Sequence, residues 1–139
     1  MPAIYDWKHV VSESDLDDLG HANNISYLKW MQSAALAHSA AQGWPVEAYR
    51  AIGQGWVVRS HHIEYLASAR LGDEIVVRTF VENLKKVTSL RRFVMFRVND
   101  DVVLAKAATD WAFVEYSTGM PKRIPSEVSG AFEVVSNPE

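Results

Sequence analysis

Apolar and polar positions alternate along most of the second half of the chain, and this period of two predicts four β-strands. The predicted strands cover residues 55–66, 72–83, 89–99 and 102–117. Residues 4–12 are rich in β-branched and aromatic side chains and predict one more strand near the start. Polar turns at residues 84–86 and 99–101 separate two of the strand pairs. Short connections of this kind favour antiparallel neighbours.

Residues 25–42 break this alternation and predict a long helix. Its apolar side chains fall on two neighbouring faces: Tyr27, Leu28, Trp30, Met31, Ala34, Ala35, Ala37 and Ala41. Asn23 or Asn24 can cap its first turn, and Pro45 lies just beyond its last. A helix that is apolar around so much of its circumference is expected to be buried on several sides. Residues 45–52 predict a short second helix.

The order of elements is therefore a strand, a long apolar helix and four more strands. The simplest packing is an α+β fold in which a curved, antiparallel five-stranded sheet wraps around one central helix. We expect a single domain that spans residues 1–139. Because a sheet of this shape leaves its edges open, we also expect a homo-oligomer, either a dimer or a dimer of dimers.

Composition says little more about the fold, but it excludes several classes of function. The net charge of −3 gives no basic field for nucleic acid, so no nucleic-acid partner is expected. The absence of cysteine excludes disulfides, thiolate metal sites and a cysteine nucleophile. We see no signal peptide and no apolar stretch long enough for a membrane span, and we therefore expect no membrane partner and a cytoplasmic location.

The stretch DLDDLGHANNISYLKW, residues 15–30, joins the first strand to the long helix. Acidic, glycine and asparagine residues before a helix are ordinary turn and cap residues, which explains the acids but not the added histidine. Alternatively, the amide groups at the helix start could hold a developing oxyanion. A carboxylate six or seven residues upstream could then attack the carbonyl carbon or deprotonate a water. Thioesters suit such a site because their thiolate leaves without much help from an acid.

The pattern D-x-D-x-x-G-H-x-N-N-x-x-Y in this stretch resembles the signature of hotdog-fold thioesterases. Its residues here are Asp15, Asp17, Gly20, His21, Asn23, Asn24 and Tyr27. The chain looks like the 4-hydroxybenzoyl-CoA thioesterase type and its acyl-CoA thioesterase relatives, and the longer run also resembles plant acyl-carrier-protein thioesterases. The likeness continues through residues 61–75 and 111–128. It implies a sheet wrapped around a central helix and an acyl-CoA substrate whose coenzyme A is no separate cofactor.

The resemblance also implies roles for single residues. Asp17 matches the catalytic carboxylate, as nucleophile or general base, and the amide groups near Asn24 match the oxyanion hole. His21 and Asn23 match polar residues that orient the carboxylate or a water. Three departures leave Asp17 with more of the chemistry. Ala69 stands near the position of a cysteine in the plant enzymes. Leu19 stands where the plant enzymes have an asparagine, and Asn24 stands where another thioesterase branch has a histidine.

Four further residues are candidates for substrate binding. Glu64 matches a position where some relatives carry an acid near the site, and Tyr27 could line an acyl pocket. Lys85 and Lys86, in a predicted turn, could bind the phosphates of coenzyme A, although such lysines are more often only solvated.

One strand carries two side chains of types that can bind a metal. His62 and Glu64 share one strand face, but a metal needs more convergent ligands than these two, so no metal is expected. Arg91, Arg92 and Arg97 are expected at an interface or on the surface.

Three other functions remain open at this point. The first is the same hydrolysis on an acyl-carrier protein, which would need a basic surface to hold the acidic carrier. The second is a non-catalytic hotdog protein that binds acyl-CoA. A hotdog dehydratase or hydratase is the third, but the D-x-N-P-x-H pattern that we associate with hydratases is absent.

Overall fold

Five strands and three helices make up the computed structural model, which describes residues 3–136. The strands are β1 (Ile4–Val10), β2 (Gln54–Tyr65), β3 (Glu74–Leu84), β4 (Thr88–Arg97) and β5 (Val103–Glu115). The helices are α1 (Asn24–Ala41), α2 (Val46–Ile52) and α3 (Ser126–Ser129). The five predicted strands, the long helix and the second helix are all present within two or three residues of their expected ends.

The strands form one antiparallel sheet in the order β1-β3-β4-β5-β2. The predicted antiparallel pairing across the two polar turns is confirmed for β3 with β4 and for β4 with β5. Strand β2 pairs with β5 and not with β3, its neighbour in the chain. The connection between β2 and β3, residues 66–73, is long enough to cross the fold, and we call it the crossover segment. It leaves β1 and β2 as the two edges of the sheet.

Helix α1 packs on one face of this sheet and forms the centre of the core. Its side chains Trp30, Met31 and Ala34 are almost fully buried, together with Phe93 and Leu104 from the sheet. Small alanines on the helix let the strands approach closely. Because the helix is then buried on several sides, it is stable although it lacks a clear division into an apolar and a polar face. The predicted packing of a sheet around one central helix is confirmed.

Strand β4 buries the face opposite to the one that its most apolar residues suggest. Side chains that alternate with Leu90 and Val94 point into the core, and they include Arg91 and Phe93. The expectation that Arg91 lies at an interface or on the surface is therefore wrong for this protomer, since only 6% of it is exposed.

Two short elements were not predicted. A single 3-10 turn at Glu13–Asp15 precedes α1, and α3 lies in the segment that follows β5. Val128 of α3 and the nearby Ile124 and Phe132 form a second apolar cluster with Phe113 of β5. This cluster covers the sheet beside the C-terminal half of α1, where the Phe132 ring contacts His38.

No helix among residues 3–136 is long and apolar enough to cross a membrane. Within the same range, no group of three or more histidine or acidic side chains converges as a metal site would require.

Candidate active site

Asp15, the first aspartate of the motif, anchors the segment between β1 and α1. Its carboxylate Oδ2 accepts hydrogen bonds from the Ser12 backbone N–H at 2.9 Å and lies 2.8 Å from His9 Nε2. Its carbonyl oxygen accepts from the Asn23 N–H at 2.7 Å and from the Ser26 hydroxyl at 2.9 Å. Burial raises the pKa of Asp15, but the hydrogen bonds from Ser12 and His9 outweigh burial and hold it below its ordinary value.

Replacing this anchor should lower stability in a pH-dependent way. We expect Asp15→Asn to lower the free energy of unfolding by about 1–2 kcal/mol at neutral pH, because charge-assisted hydrogen bonds are lost. A carboxyl whose folded pKa is depressed stabilises the fold above its unfolded pKa and loses that contribution as pH falls through the folded value. The difference between wild type and variant should therefore shrink below about pH 4. Urea titrations between pH 3 and 7 measure it.

Asp18→Asn is the matched control, because Asp18 is exposed and has no hydrogen bond or ion pair among the described residues. An Asp15→Asn variant as stable as this control at neutral pH would contradict the anchoring role.

Hydrogen bonds of Asp17 hold residues 17–21 in a tight loop. Its Oδ1 accepts from the backbone N–H groups of Leu19 at 2.9 Å and His21 at 3.2 Å, and its own N–H donates to the His21 carbonyl at 2.8 Å. Gly20, at a φ of 78°, supplies the left-handed turn that the loop requires. Within residues 3–136, Oδ2 has no hydrogen-bond partner, so one carboxylate oxygen is held in place while the other is available.

The start of α1 leaves one amide group available beside this loop. Asn23 caps the helix, and its side-chain oxygen accepts from the Ile25 N–H at 2.9 Å. The Ser26 N–H is satisfied by the Asn23 carbonyl at 2.9 Å. The N–H of Asn24 has no acceptor within the described part of the chain, and it is therefore the amide that could hold an oxyanion.

Contacts from the crossover segment hold both the Asp17 loop and the start of α1 in place. The Ala22 N–H donates to the Ala69 carbonyl at 2.8 Å, and His21 forms an isolated bridge with Arg70. The Tyr27 hydroxyl accepts from the Ala69 N–H at 3.1 Å and donates to the Ala67 carbonyl at 3.4 Å. Burial raises the pKa of the Tyr27 hydroxyl, so it stays protonated and keeps its donor. Tyr27 therefore packs in the core of this protomer and fastens the helix to the crossover segment.

An apolar cavity of about 210 Å³ lies at the other end of α1. Aromatic and aliphatic side chains from every layer of the fold line it, among them Leu36, Tyr49, Trp56, Leu84, Trp111 and Phe132. A hydrogen-bond chain stiffens one wall, in which Trp56 Nε1 donates to the Tyr49 hydroxyl at 3.1 Å and that hydroxyl lies 3.0 Å from Ser39 Oγ. A largely preformed, mostly apolar cavity with a few polar groups is typical of a small-molecule site.

Arg91 contributes the charged part of this cavity. Its Nη1 donates to His38 Nδ1 at 2.9 Å and to the Thr79 hydroxyl at 3.1 Å. Burial lowers the pKa of Arg91 to about 10, so the guanidinium still carries its charge at neutral pH. His38 Nδ1 must be unprotonated to accept this bond.

The family model of the thioesterase-like superfamily matches residues 11–132, which include both the helix start and the cavity. The chain belongs to the thioesterase-like superfamily. The expected membership of the hotdog thioesterases, and with it the expected enzyme class of thioester hydrolase, is confirmed. A search of the curated proteins found no match.

Solved structures, among them two thioesterases, share the fold of this superfamily member at low sequence identity. A 1,4-dihydroxy-2-naphthoyl-CoA thioesterase from Synechocystis is 15% identical, with a TM-score of 0.86 over 92% of this chain and 94% of that one. A Staphylococcus aureus protein solved in complex with CoA is 12% identical, with a TM-score of 0.87 over 98% and 90% of the two chains. The dynemicin thioesterase is 24% identical, with a TM-score of 0.83 over 92% and 94%. At these identities the likeness establishes the fold.

The other predicted binding residues of this thioesterase-family chain lie outside both regions. Ile63 packs against the core, so the alternation of β2 turns Glu64 to the opposite face of the sheet, where it lies 4.0 Å from His62 Nε2. Lys85 and Lys86 are exposed in the turn between β3 and β4, directly after Leu84 of the cavity wall. Their roles in substrate binding stay predictions.

Within one protomer the structure brings Asp17, His21, Asn23 and Asn24 together, but it does not bring them to the cavity. Asp17 is exposed, and the cavity touches α1 only near Ala35–Ser39. Along α1, Asn24 lies about 16 Å from Ala35 and about 22 Å from Ser39, at roughly 1.5 Å per residue. The Asp17 loop and the cavity are therefore two separate regions of this chain.

Sequence reasoning missed the cavity and Arg91. The signal that could have found Arg91 is its alternation with Ser89, Phe93 and Met95, which places it on the same strand face as two large apolar residues. The cavity itself has no local signature, because its walls come from α1, α2, four strands and the segment after β5.

Proposed function

We propose that this chain hydrolyses acyl-CoA thioesters, with Asp17 as the reactive carboxylate and the Asn24 N–H as a donor to the thioester oxygen. The observation that supports this most is the pairing of a carboxylate held by one oxygen with an unsatisfied amide group at a helix start. In the reaction, water adds its oxygen to the acyl carbon, the carbon–sulfur bond breaks, and the thiolate of coenzyme A takes up a proton.

Asp17 has two ways to deliver that oxygen. As a general base, its free Oδ2 would take a proton from the attacking water; as a nucleophile, Oδ2 would itself bond to the acyl carbon and form an anhydride that water then cleaves. In both routes negative charge develops on the thioester oxygen, where the Asn24 N–H and the positive end of the α1 dipole stabilise it. His21, whose N–H fixes Asp17, positions the carboxylate.

A second copy of the chain would place the carboxylate beside the cavity. The N-terminal end of β2 carries Trp56 of the cavity, whereas its C-terminal end carries Tyr65, whose hydroxyl donates to the Asn24 carbonyl at 3.3 Å. If two β2 edges pair antiparallel about their middle, the Asn24 end of one protomer lies next to the Trp56 end of its partner. The acyl group would then enter the cavity of one subunit while Asp17 of the other faces its carbonyl.

The free edge of β2 has the side chains expected for such pairing. Val57 and Val58 are 42% and 36% exposed in one protomer, and Tyr65 and Leu66 also expose apolar surface. Long, apolar and unpaired edges are prone to pair with another strand. Edge strand β1 is shorter and has Lys8 and the ion pair Asp6–Arg78 near its exposed face.

A panel of aromatic, short-chain and long-chain acyl-CoAs tests the proposed reaction. Thiol release can be followed with a thiol-reactive dye, and because the chain has no cysteine all of the signal comes from coenzyme A. Matched acyl groups on an acyl-carrier protein form the second arm. We expect turnover of at least one CoA thioester; tight binding without thiol release, or turnover only from the carrier protein, would contradict the proposal.

A further inference from the structure

Arg91 is the buried arginine of the described chain that has no acidic partner. Arg92 and Arg97, which are only partly buried, pair with Glu82 at 2.8 Å and Asp73 at 3.3 Å. The two hydrogen bonds of Arg91 go to the neutral acceptors His38 and Thr79, and both use Nη1. Its Nε and Nη2 groups have no partner among residues 3–136.

A buried charge without an ion-pair partner is unfavourable, and here only two neutral acceptors and the Phe132 ring, whose centroid lies 6.0 Å from the guanidinium carbon, offset its desolvation. Arginine does not escape this by losing its proton, because even the lowered pKa of Arg91, about 10, leaves it charged at neutral pH. The fold therefore keeps a cation on the wall of an apolar cavity with spare donors. The charge is complementary to an anion that enters the cavity.

A second spare donor lines the same cavity. The indole Nε1 of Trp111 is buried and has no hydrogen-bond acceptor in the described structure. Arg91 pairs with Thr109 across β4 and β5, so Trp111 is its diagonal neighbour on the same face.

The buried hydroxyl groups of the cavity are already satisfied. Ser39 donates to the Trp44 carbonyl at 2.7 Å, and Ser89 donates to the Asn83 carbonyl at 2.8 Å. The buried donors left over are thus those of Arg91 and Trp111, whereas the Tyr116 hydroxyl lies on the exposed rim of the cavity.

We propose that the cavity takes a compact acyl group whose far end carries a carboxylate, and that this carboxylate pairs with Arg91 and accepts from Trp111 Nε1. The planar fork of a guanidinium matches the two oxygens of a carboxylate. The volume of about 210 Å³ exceeds the roughly 150 Å³ of a cavity that binds benzene, which leaves room for a ring-sized group with one substituent. This inference rests on the proposed function, since it assigns the acyl half of the same substrate.

Two ligands that cannot be hydrolysed separate recognition from catalysis. S-(4-carboxyphenacyl)-CoA and S-(4-methylphenacyl)-CoA are nearly equal in size but differ in the terminal charge, and both lack a thioester. By calorimetry we expect the wild type to bind the carboxylate ligand at least about tenfold more tightly, as a charge-assisted hydrogen bond in a dry site provides. Arg91→Met should abolish or reverse that preference, and Arg91→Lys should retain part of it.

Arg92→Met is the matched control, because Arg92 follows Arg91 in sequence but lies on the opposite strand face. Its preference should equal that of the wild type. Arg91→Met is expected to fold, since it removes an uncompensated buried charge and keeps an apolar side chain of similar length. Equal binding of the two ligands by wild type, or an unchanged preference in Arg91→Met, would overturn the inference.

Hydrolysis of 4-carboxybenzoyl-CoA and 4-methylbenzoyl-CoA then distinguishes the two proposals. If the ligands are discriminated but neither thioester is cleaved, the catalytic proposal fails and the assignment of the cavity stands. If both thioesters are cleaved at equal kcat/KM and neither ligand is preferred, the carboxylate recognition fails and the catalytic proposal stands.

Discussion

Asp17→Asn should lower kcat for any accepted thioester by at least about a hundredfold, the lower end of what a positioned acid–base group contributes. An amide can neither attack the acyl carbon as a carboxylate does nor take a proton from water at neutral pH. Its side-chain oxygen can still accept from the Leu19 and His21 N–H groups, so the loop should keep its shape. Steady-state kinetics across the acyl-CoA panel, with thermal unfolding of each variant, measure this effect.

Asp18→Asn serves as the control here too, because it removes the adjacent carboxylate from the same loop and should leave kcat within about twofold, as expected for an exposed position. Full activity in Asp17→Asn, with the loop intact, would remove Asp17 from the mechanism. A single turnover in ¹⁸O-labelled water tests the nucleophilic route. Label in the peptide that contains Asp17 shows an anhydride that water cleaves at the Asp17 side-chain carbonyl, whereas the general-base route leaves label only in the released acid.

The second large effect concerns the free edge of β2. We expect Val58→Glu to convert a dimer into monomers and to lower kcat/KM by at least about a hundredfold, comparable to the loss when catalytic groups are misplaced. Two copies of the new carboxylate would approach each other near the middle of the paired edges, and burying them there is unfavourable. Because Val58 is already partly exposed in one protomer, the fold itself should lose little stability. Sedimentation and activity as a function of protein concentration measure both effects.

Ile4→Glu provides the comparison on the opposite edge strand, since Ile4 is 46% exposed on β1. It should leave both the mass in solution and the activity unchanged. If Val58→Glu is monomeric and fully active, Asp17 and the cavity do not need a partner subunit. If it remains a dimer, the subunits associate through another surface.

The fold was predictable because its signals are local. The alternation of β3, with Ile75, Val77 and Thr79 on one face, corresponds to a fully buried row in the structure. Asn23 as the cap of α1 also follows from local chemistry. The order of the strands was not accessible in this way, because the crossover segment is neither a tight turn nor a helix, and its route depends on contacts such as that between Tyr27 and Ala69.

Of the two regions of the candidate site, the sequence predicted the acidic loop with the helix start but not the cavity. The carboxylate and the helix start are adjacent in sequence, so the motif brought Asp17, His21, Asn23 and Asn24 to attention together. Arg91 does not stand out in the sequence, because buried arginines are rare and the alternation of Leu90 and Val94 favours burial of the opposite strand face. Nothing near Arg91 in the sequence indicates His38, which accepts its hydrogen bond from α1, or Trp111, which lines the same cavity from β5.

The crossover segment has a consequence for how this enzyme could be altered. Residues 67–70 touch the backbone of Ala22 and the hydroxyl of Tyr27, so they set the height and angle at which the acidic loop meets the helix. A longer or shorter crossover segment would change the position of Asp17 relative to α1, and with it the reaction rate, without replacing any atom that reacts. Engineered versions of the protein with altered rates are therefore best sought through insertions and deletions in the crossover segment, and not through substitutions in the motif.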